Sequence, residues 1–126
     1  MAVVPPIFDG KCFIEETLRS VLGQTYTNFE VWAVDDSSAD TTPAMLAKWA
    51  TADPRVKLHQ QWNRGMAAAR NFAISVAHGK FIAPMDADHL WFQEKIAVQV
   101  DRFEEMPPEG GLVYVWAFGW MLTDAY

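Results

Sequence analysis

The sequence predicts an α/β fold with a mostly parallel open sheet and flanking helices. Short apolar runs alternate with amphipathic segments along most of the 126 residues, a pattern typical of βαβ units. Several of these apolar runs lead directly into acidic loops. Right-handed crossovers place the loops that follow parallel strands at one edge of the sheet. We therefore expect the following acids to gather on one rim: Asp9, Asp35, Asp36, Asp86 and Asp88.

Length and composition predict one domain over residues 1–126 with a substantial core, since 51% of the residues are hydrophobic. The net charge of −6 and the lack of a basic run argue against nucleic-acid binding. The single Cys12 cannot form an internal disulfide and is predicted to be a small buried filler. It fits a reducing compartment. With no leader-like or membrane-length apolar segment, we expect a cytoplasmic, soluble protein.

Periodicity and breakers predict each element. Ala2–Val4 is a strand cut short by Pro5 and Pro6, which lack an N–H, and residues 7–10 form a loop. Thr42 and Pro43 are a predicted N-cap and first-turn pair, and Gly79 a helix-ending C′ residue. Apolar runs predict strands at 2–4, 29–34, 56–58, 81–85 and 112–122, and helical spacing predicts helices at 13–22, 42–52, 66–77 and 92–105.

Two carboxylates, Asp86 and Asp88, follow the predicted strand 81–85. In extended backbone, residues two apart point to the same side, so both could converge on one ligand. Hard carboxylate oxygens suit Mg²⁺ or Mn²⁺, with phosphates and water completing the coordination. The alternative is that these acids only cap the helix that follows. The pattern itself leaves both interpretations open.

An ordered series of motifs resembles the nucleotide-sugar-binding half of family-2 inverting glycosyltransferases, which have the Rossmann-like GT-A fold. The order and spacing hold over roughly residues 2–105. The matching segments are Pro6–Asp9, Ile14–Leu22, Gln24–Glu30, Val34–Asp40, Asn63–Gly65, Ala69–Asn71, Gly79–Ile82 and Met85–Asp88.

The resemblance implies a site for a nucleotide-sugar donor, with a UDP-sugar expected and the acceptor unknown. Asp88 would hold Mg²⁺ or Mn²⁺, and Asp86 would lie near the ribose and the metal. Asp36 would accept a hydrogen bond from the base, on which the backbone from Pro6 to Phe8 would pack, and Arg70 is the nearest candidate cation. Asp9 adds a charge where the family has Asn; Asp35 and Asp40 are expected to cap and brace their loop.

The chain is expected to be truncated on the C-terminal side of the fold. The general base that inversion requires would lie beyond Tyr126, so the catalytic residue stays unassigned. Two other classes remain. A receiver-type phosphoacceptor domain also gathers acids on a rim, but the 112–122 strand lacks the Lys that such a domain needs. A noncatalytic assembly module would use that apolar segment, through which we expect self-association.

Overall fold

The computed structural model describes residues 1–85 and 90–107. Asp86, Asp88 and the predicted strand at 112–122 lie outside them. The described residues fall into two compact units, 1–15 with 28–85, and 16–27 with 90–107. In chain order the elements are β1 (Ala2–Val4), β2 (Pro6–Ile7), α1 (Ile14–Leu22), β3 (Glu30–Asp36), α2 (Thr42–Ala52), β4 (Val56–Gln61), α3 (Met66–Val76), β5 (Ile82–Pro84) and α4 (Lys95–Glu105).

The sheet in the first unit is parallel at every described pairing. Strand β3 is central: β4 pairs on one side, and β1 and β2 pair on the other. Val3 pairs with Val31, and Ile7 pairs with Asp35, so β1 and β2 are successive parts of one path along β3. Beyond β1 lies β5. The predicted mostly parallel sheet is confirmed.

The prolines do not stop strand pairing, and the prediction that Ile7 lies in a loop was wrong. The chain leaves the sheet only at Pro5 and pairs again at Pro6–Ile7. Pro84 likewise pairs with Val4. Proline is tolerated at the first residue of a strand or in an edge strand, because a missing N–H there removes no obligatory ladder bond. Pro6 begins β2, and Pro84 lies in β5, the outermost strand of the described sheet.

Small side chains allow α3 to approach the sheet closely. Ala69 and Ala73 pack against Val4 and Val34, all of them buried, with the partly buried Trp32, Phe72 and Ile82 around them. Alanine has no side chain beyond Cβ and is the best helix former, so this alanine-rich segment satisfies both helix propensity and close packing. On the neighbouring strand β4, the ring of His59 stacks on Phe72 with ring centroids 3.7 Å apart.

Several predicted boundaries move by a few residues. Strand β4 extends to Gln61 because its whole length pairs with β3. Helix α4 begins at Lys95 rather than near Phe92. Thr42 is the first helical residue of α2 and Thr41 is its N-cap, so the capping prediction was one residue out.

Cys12 is exposed, contrary to its prediction as a buried filler. Among the described residues, no helix is long and apolar enough to cross a bilayer.

In the second unit, the buried side chain of Gln24 joins the end of α1 to the start of α4. Its amide nitrogen donates to the carbonyl oxygens of Ser20 and Phe92, and its oxygen accepts the N–H of Ile96. That N–H belongs to the first turn of α4, which has no intrahelical acceptor for it. Nearby, Lys95 Nζ lies 4.1 Å from the centre of the Trp91 ring, and burial lowers the pKa of Lys95 to about 8.

Gly79 is not the C′ residue of α3. That helix ends at Val76, and the backbone of its C-cap residue, Ala77, is extended, so no left-handed terminal residue follows. A Cβ on Gly79 would lie 2.7 Å from the backbone carbon of Met1 and 2.8 Å from the nitrogen of Ala2. Gly79 is therefore required because β1 passes directly over it.

We expect Gly79→Ala to lower the free energy of unfolding by about 1–3 kcal/mol, the usual cost of forcing atoms into a packed site. Urea unfolding of the two proteins measures this. Gly10→Ala is the matched control: its added Cβ would meet side chains only, the nearest being the Ile7 Cγ2 methyl at 3.3 Å, and no backbone atom within 4 Å. Equal losses in the two variants would contradict the steric explanation.

Candidate functional site

The carboxyl ends of β2 and β3 carry two loops, residues 8–11 and 37–42, which hydrogen-bond to each other. The Asp9 N–H donates to Ser38 Oγ at 2.8 Å, and Asp9 Oδ1 accepts the N–H of Ala39 at 2.8 Å. Asp9 and Ser37 both have positive φ, at 47° and 64°. Non-glycine residues rarely adopt this conformation, and it is maintained only where surrounding contacts support it.

A second set of bonds joins the same loops further along. The Gly10 N–H donates to the buried Oγ1 of Thr42 at 2.9 Å, and the Lys11 N–H donates to Asp40 Oδ2 at 3.3 Å. Asp40 Oδ1 also accepts the N–H of Thr42, in the first turn of α2. The Thr42 side chain and these backbone donors keep the pKa of Asp40 below its ordinary value. Asp40 therefore braces its loop, as expected.

Asp36, the last residue of β3, accepts hydrogen bonds at both carboxylate oxygens. Oδ1 accepts from Gln61 Nε2 at 3.0 Å and from the Arg64 N–H at 2.8 Å, and Oδ2 accepts from the Gly65 N–H at 3.0 Å. Burial alone would raise the pKa of this carboxyl group, but these three donors outweigh it and lower the pKa. Asp36 is thus an ionised, buried acceptor for two N–H groups of the segment immediately before α3.

Asp35 lies on the opposite face of β3, because adjacent residues of a strand alternate between faces. Its two oxygens accept from the hydroxyl and the N–H of Ser38. Ser38 also accepts the Asp9 N–H, so one hydroxyl group connects the strand end to the neighbouring loop. The contacts of Asp35 are those of a residue that braces its loop.

The other predicted nucleotide-site residues lie on the same elements. Pro6 is buried at the start of β2, and Phe8, which follows that strand, is 45% exposed. Arg70 is on α3, half-buried, with its Nε out of contact with solvent. Strand β5 is parallel to β1, so its carboxyl end, where Met85 is buried, lies at the same edge as the ends of β2 and β3.

The predicted metal ligands, Asp86 and Asp88, lie outside the described residues. Within residues 1–85 and 90–107, no group of three or more potential ligand side chains comes together. Trp91, which follows the predicted ligands, is buried. Its backbone N–H donates to Ser20 Oγ at 3.2 Å.

Sequence reasoning missed the groups that hold Asp36. The segment Asn63–Gly65 was recognised as a turn, but nothing in it indicates that two of its backbone N–H groups point at a carboxylate. Gln61 was placed beyond the end of its strand. A buried acid that ends a central strand was the available signal, because such a group needs donors from the neighbouring segments.

The sequence of this chain matches a known family of proteins. The sequence profile of glycosyl transferase family 2 matches residues 2–122. The chain belongs to this family. It is 38% identical over 105 residues to an uncharacterized glycosyltransferase of Rickettsia conorii, covering 83% of this chain and 17% of that protein.

Two solved structures have the same fold. TarS of S. aureus (residues 1–349, in complex with UDP-GlcNAc) superposes with a TM-score of 0.78 at 25% identity over 90% of this chain and 36% of that one. The mannosyltransferase PcManGT of Pyrobaculum calidifontis, in complex with GDP-Man and Mn²⁺, superposes with a TM-score of 0.79 at 32% identity, over 87% and 33%. The predicted GT-A fold is confirmed, and the chain spans only about a third or less of the length of these relatives.

We expect Asp36→Asn to lower the free energy of unfolding by about 1–3 kcal/mol at neutral pH, because an amide nitrogen replaces one acceptor facing buried N–H groups. Since folding lowers the pKa of Asp36, its ionisation contributes stability above the ordinary value of 3.8. That contribution is lost as the pH falls through the lower, folded pKa. Urea unfolding measured from pH 7 downward should therefore show a weaker acid dependence in the variant.

Asp101→Asn, at an exposed position of α4, is the matched control and should change stability little. If Asp36→Asn retained the acid dependence of the unsubstituted protein, the assignment of an ionised, hydrogen-bonded Asp36 would be wrong.

Ser38→Ala tests the connection between the loops. The change removes the hydroxyl group that bonds both the buried Asp35 carboxylate and the Asp9 N–H, so we expect a loss of about 1–3 kcal/mol in the free energy of unfolding. Ser75→Ala, which removes an exposed hydroxyl that bonds only the carbonyl oxygen of Phe72 within α3, is the comparison. Equal small losses would show that the Ser38 hydroxyl does not stabilise the loop pair.

Proposed function

We propose that this chain forms the donor-binding part of an inverting glycosyltransferase that uses a nucleotide-diphosphate sugar. The observation that carries this proposal is the buried, ionised Asp36 at the end of the central strand, with three donors already in place. A carboxylate has about four lone-pair positions for hydrogen-bond donors. Three are used here, so Oδ2 retains capacity for one further N–H, which suits a base that presents a single imide donor.

Uracil is such a base, because its N3–H is its only Watson–Crick-edge donor. Strand β2 contains Pro6, and Phe8 follows it with an exposed side chain. The backbone from Pro6 to Phe8 would pack against the base. Asp9 would add a negative charge near the base, Asp86 would lie on the ribose side, and Arg70 would face the base or the phosphates. UDP-GlcNAc in the TarS complex supports a UDP-sugar donor.

The proposed metal ligands are Asp88 and Asp86. Two carboxylates separated by one residue provide the hard oxygen ligands that Mg²⁺ and Mn²⁺ prefer, and such sites take few protein ligands when phosphates complete them. When bound, the ion would stabilise negative charge on the departing diphosphate. Mn²⁺ with GDP-Man in the PcManGT complex supports this choice.

Transfer with inversion also requires a base that deprotonates the acceptor hydroxyl group. No motif within residues 1–126 matches the one that carries this base in the family. We propose that the base is supplied by sequence beyond Tyr126. We therefore expect this chain alone to bind nucleotide weakly and to transfer little or no sugar.

Family membership favours the transferase over a receiver-type phosphoacceptor domain. The assembly-module interpretation depends on residues 112–122, outside the described part of the chain. Self-association through that segment stays a prediction.

Calorimetric titration with UDP, GDP and CDP, each with and without Mn²⁺, tests the proposal. We expect UDP to bind more tightly than CDP, because cytosine has no N3–H for Asp36. Mn²⁺ should strengthen UDP binding, and Asp88→Asn should remove most of that gain. Asp36→Asn should weaken UDP binding about tenfold, the ratio expected for one hydrogen bond to a charged group.

Asp101→Asn again serves as the control and should bind UDP like the unsubstituted protein. Equal affinity for UDP and CDP would contradict the role given to Asp36. A Mn²⁺ effect that survives Asp88→Asn would contradict the metal site. Robust sugar transfer by this chain alone would contradict the proposal that the base lies elsewhere.

A further inference from the structure

Gln61, the last residue of β4, donates to the Asp36 carboxylate from a fixed position. The two residues are partners in the register of β3 and β4, so their side chains lie on the same face of the sheet. The Ser37 hydroxyl group donates to the carbonyl oxygen of Gln61 at 2.7 Å and accepts the N–H of Asn63 at 3.0 Å. Strand pairing and this hydroxyl group therefore fix the backbone from which the Gln61 carboxamide extends.

The donors of Asp36 are distributed unequally between its two oxygens. Oδ1 accepts from Gln61 Nε2 at 3.0 Å and from the Arg64 N–H at 2.8 Å, whereas Oδ2 accepts from the Gly65 N–H at 3.0 Å. Each carboxylate oxygen has two lone pairs. Oδ1 is therefore saturated, and the donors in the described part of the chain leave one lone pair, on Oδ2, for a ligand.

The number of adjacent donors on a base then decides whether the base fits Asp36. Uracil presents one donor, N3–H, and hypoxanthine also presents one, N1–H. Guanine presents N1–H and a neighbouring exocyclic amino group, a pair that matches the two oxygens of a carboxylate. With Oδ1 saturated, that amino group would face an oxygen without a free lone pair, and a donor removed from water without an acceptor is costly.

Of the two groups that saturate Oδ1, only the Gln61 carboxamide belongs to a side chain. The Arg64 N–H is a backbone group, which every residue type except proline would supply. Occupancy of the second lone pair of Oδ1 therefore depends on the residue type at position 61. A side chain of similar length without a donor, such as methionine, would leave that lone pair free.

We propose that Gln61 determines the base specificity of the donor site. By donating to Asp36 Oδ1, it restricts the carboxylate to a base with a single imide donor and excludes guanine, whose second donor needs the same lone pair. Gln61 is thus a positioning residue that acts through Asp36 and need not touch the nucleotide. This inference rests on the proposed function, because it concerns the base of the nucleotide that the donor site binds.

The test is a ¹H–¹⁵N NMR titration of the 126-residue chain with UDP, IDP and GDP. The amide resonances of Arg64 and Gly65 report binding at Asp36. IDP and GDP have the same purine ring system and differ only in the 2-amino group of guanine, so the ratio of their dissociation constants does not depend on the size of the base. We expect the unsubstituted protein to bind UDP and to bind IDP more tightly than GDP.

Gln61→Met should shift the ratio of the GDP and IDP dissociation constants about tenfold in favour of GDP, the value of one hydrogen bond to a charged group. Gln61→Lys, which places an ammonium donor within reach of Oδ1, should keep the preference for IDP. A general loosening of the site would weaken IDP and GDP equally and leave their ratio unchanged. Gln61→Thr, whose hydroxyl group is too short to reach Oδ1, provides the same test if the methionine variant does not fold.

Gln60→Met is the matched control and should keep the ratio of the unsubstituted protein. Gln60 is exposed, and adjacent residues of a strand point to opposite faces, so its side chain is directed away from Asp36.

The inference is overturned if Gln61→Met keeps the ratio of the unsubstituted protein, or if Gln61→Lys shifts it as far as Gln61→Met does. It is also overturned if the unsubstituted protein binds GDP as tightly as IDP, or if UDP binds and neither purine nucleotide binds any variant, which would mean that ring size excludes guanine. Failure of the proposed function has a different result and removes this inference with it: none of the three nucleotides would then shift the Arg64 and Gly65 resonances of the unsubstituted protein.

Discussion

The hydrogen bonds to the Asp36 carboxylate are the interactions on which the rest of the first unit depends. A buried charge is costly unless donors surround it. Here the donors are Gln61 at the end of β4 and two backbone N–H groups of the segment that connects β4 to α3. The acid therefore determines where that segment ends and where α3 begins. The alanine-rich face of α3 then packs against Val4 and Val34. One acidic group thus connects the strand pairing to the helix packing.

The two loops that follow β2 and β3 are also held by hydrogen bonds. Residues 8–11 and 37–42 donate to and accept from each other through Asp9, Ser38, Asp40 and Thr42. Loops that bond mainly to water would have to be ordered when a ligand binds, and that ordering would reduce affinity. These loops are already fixed by each other. A nucleotide at this edge would meet preformed groups on β2 and β3.

Much of the fold could be predicted from the sequence because periodicity and breakers are local. The parallel sheet, the helix within 66–77 and the end of α2 at Asp53 all followed from such signals. The errors arose where distant contacts override local rules. Pro6 can pair in the sheet because it begins its strand, and Pro84 because its strand is the outermost of the described sheet. Gly79 is required by β1, which is far away in the sequence. Local patterns carry no information on either point.

The candidate site was predictable in its composition and less so in its bonding. The acids that follow β2 and β3 were expected at one edge, and they lie there. That Asp36 is held by Gln61 and two backbone N–H groups could not be predicted, because it requires the register of β4 and the turn after it. The exposure of Trp62 could not be predicted either, because tryptophan is usually buried. The sequence pointed to Trp91 instead, because it lies beside the predicted metal ligands. Gln24 belongs to a matching motif, and the structure gives a reason: it joins α1 to α4.

The most direct test of the central claim is an experimental structure of the chain with UDP and Mn²⁺. The account predicts that the uracil N3–H donates to Asp36 Oδ2 while the bonds from Arg64 and Gly65 remain, and that Asp88 would be a ligand of the metal. A nucleotide bound at another edge of the sheet, or a uracil that makes no contact with Asp36, would contradict it.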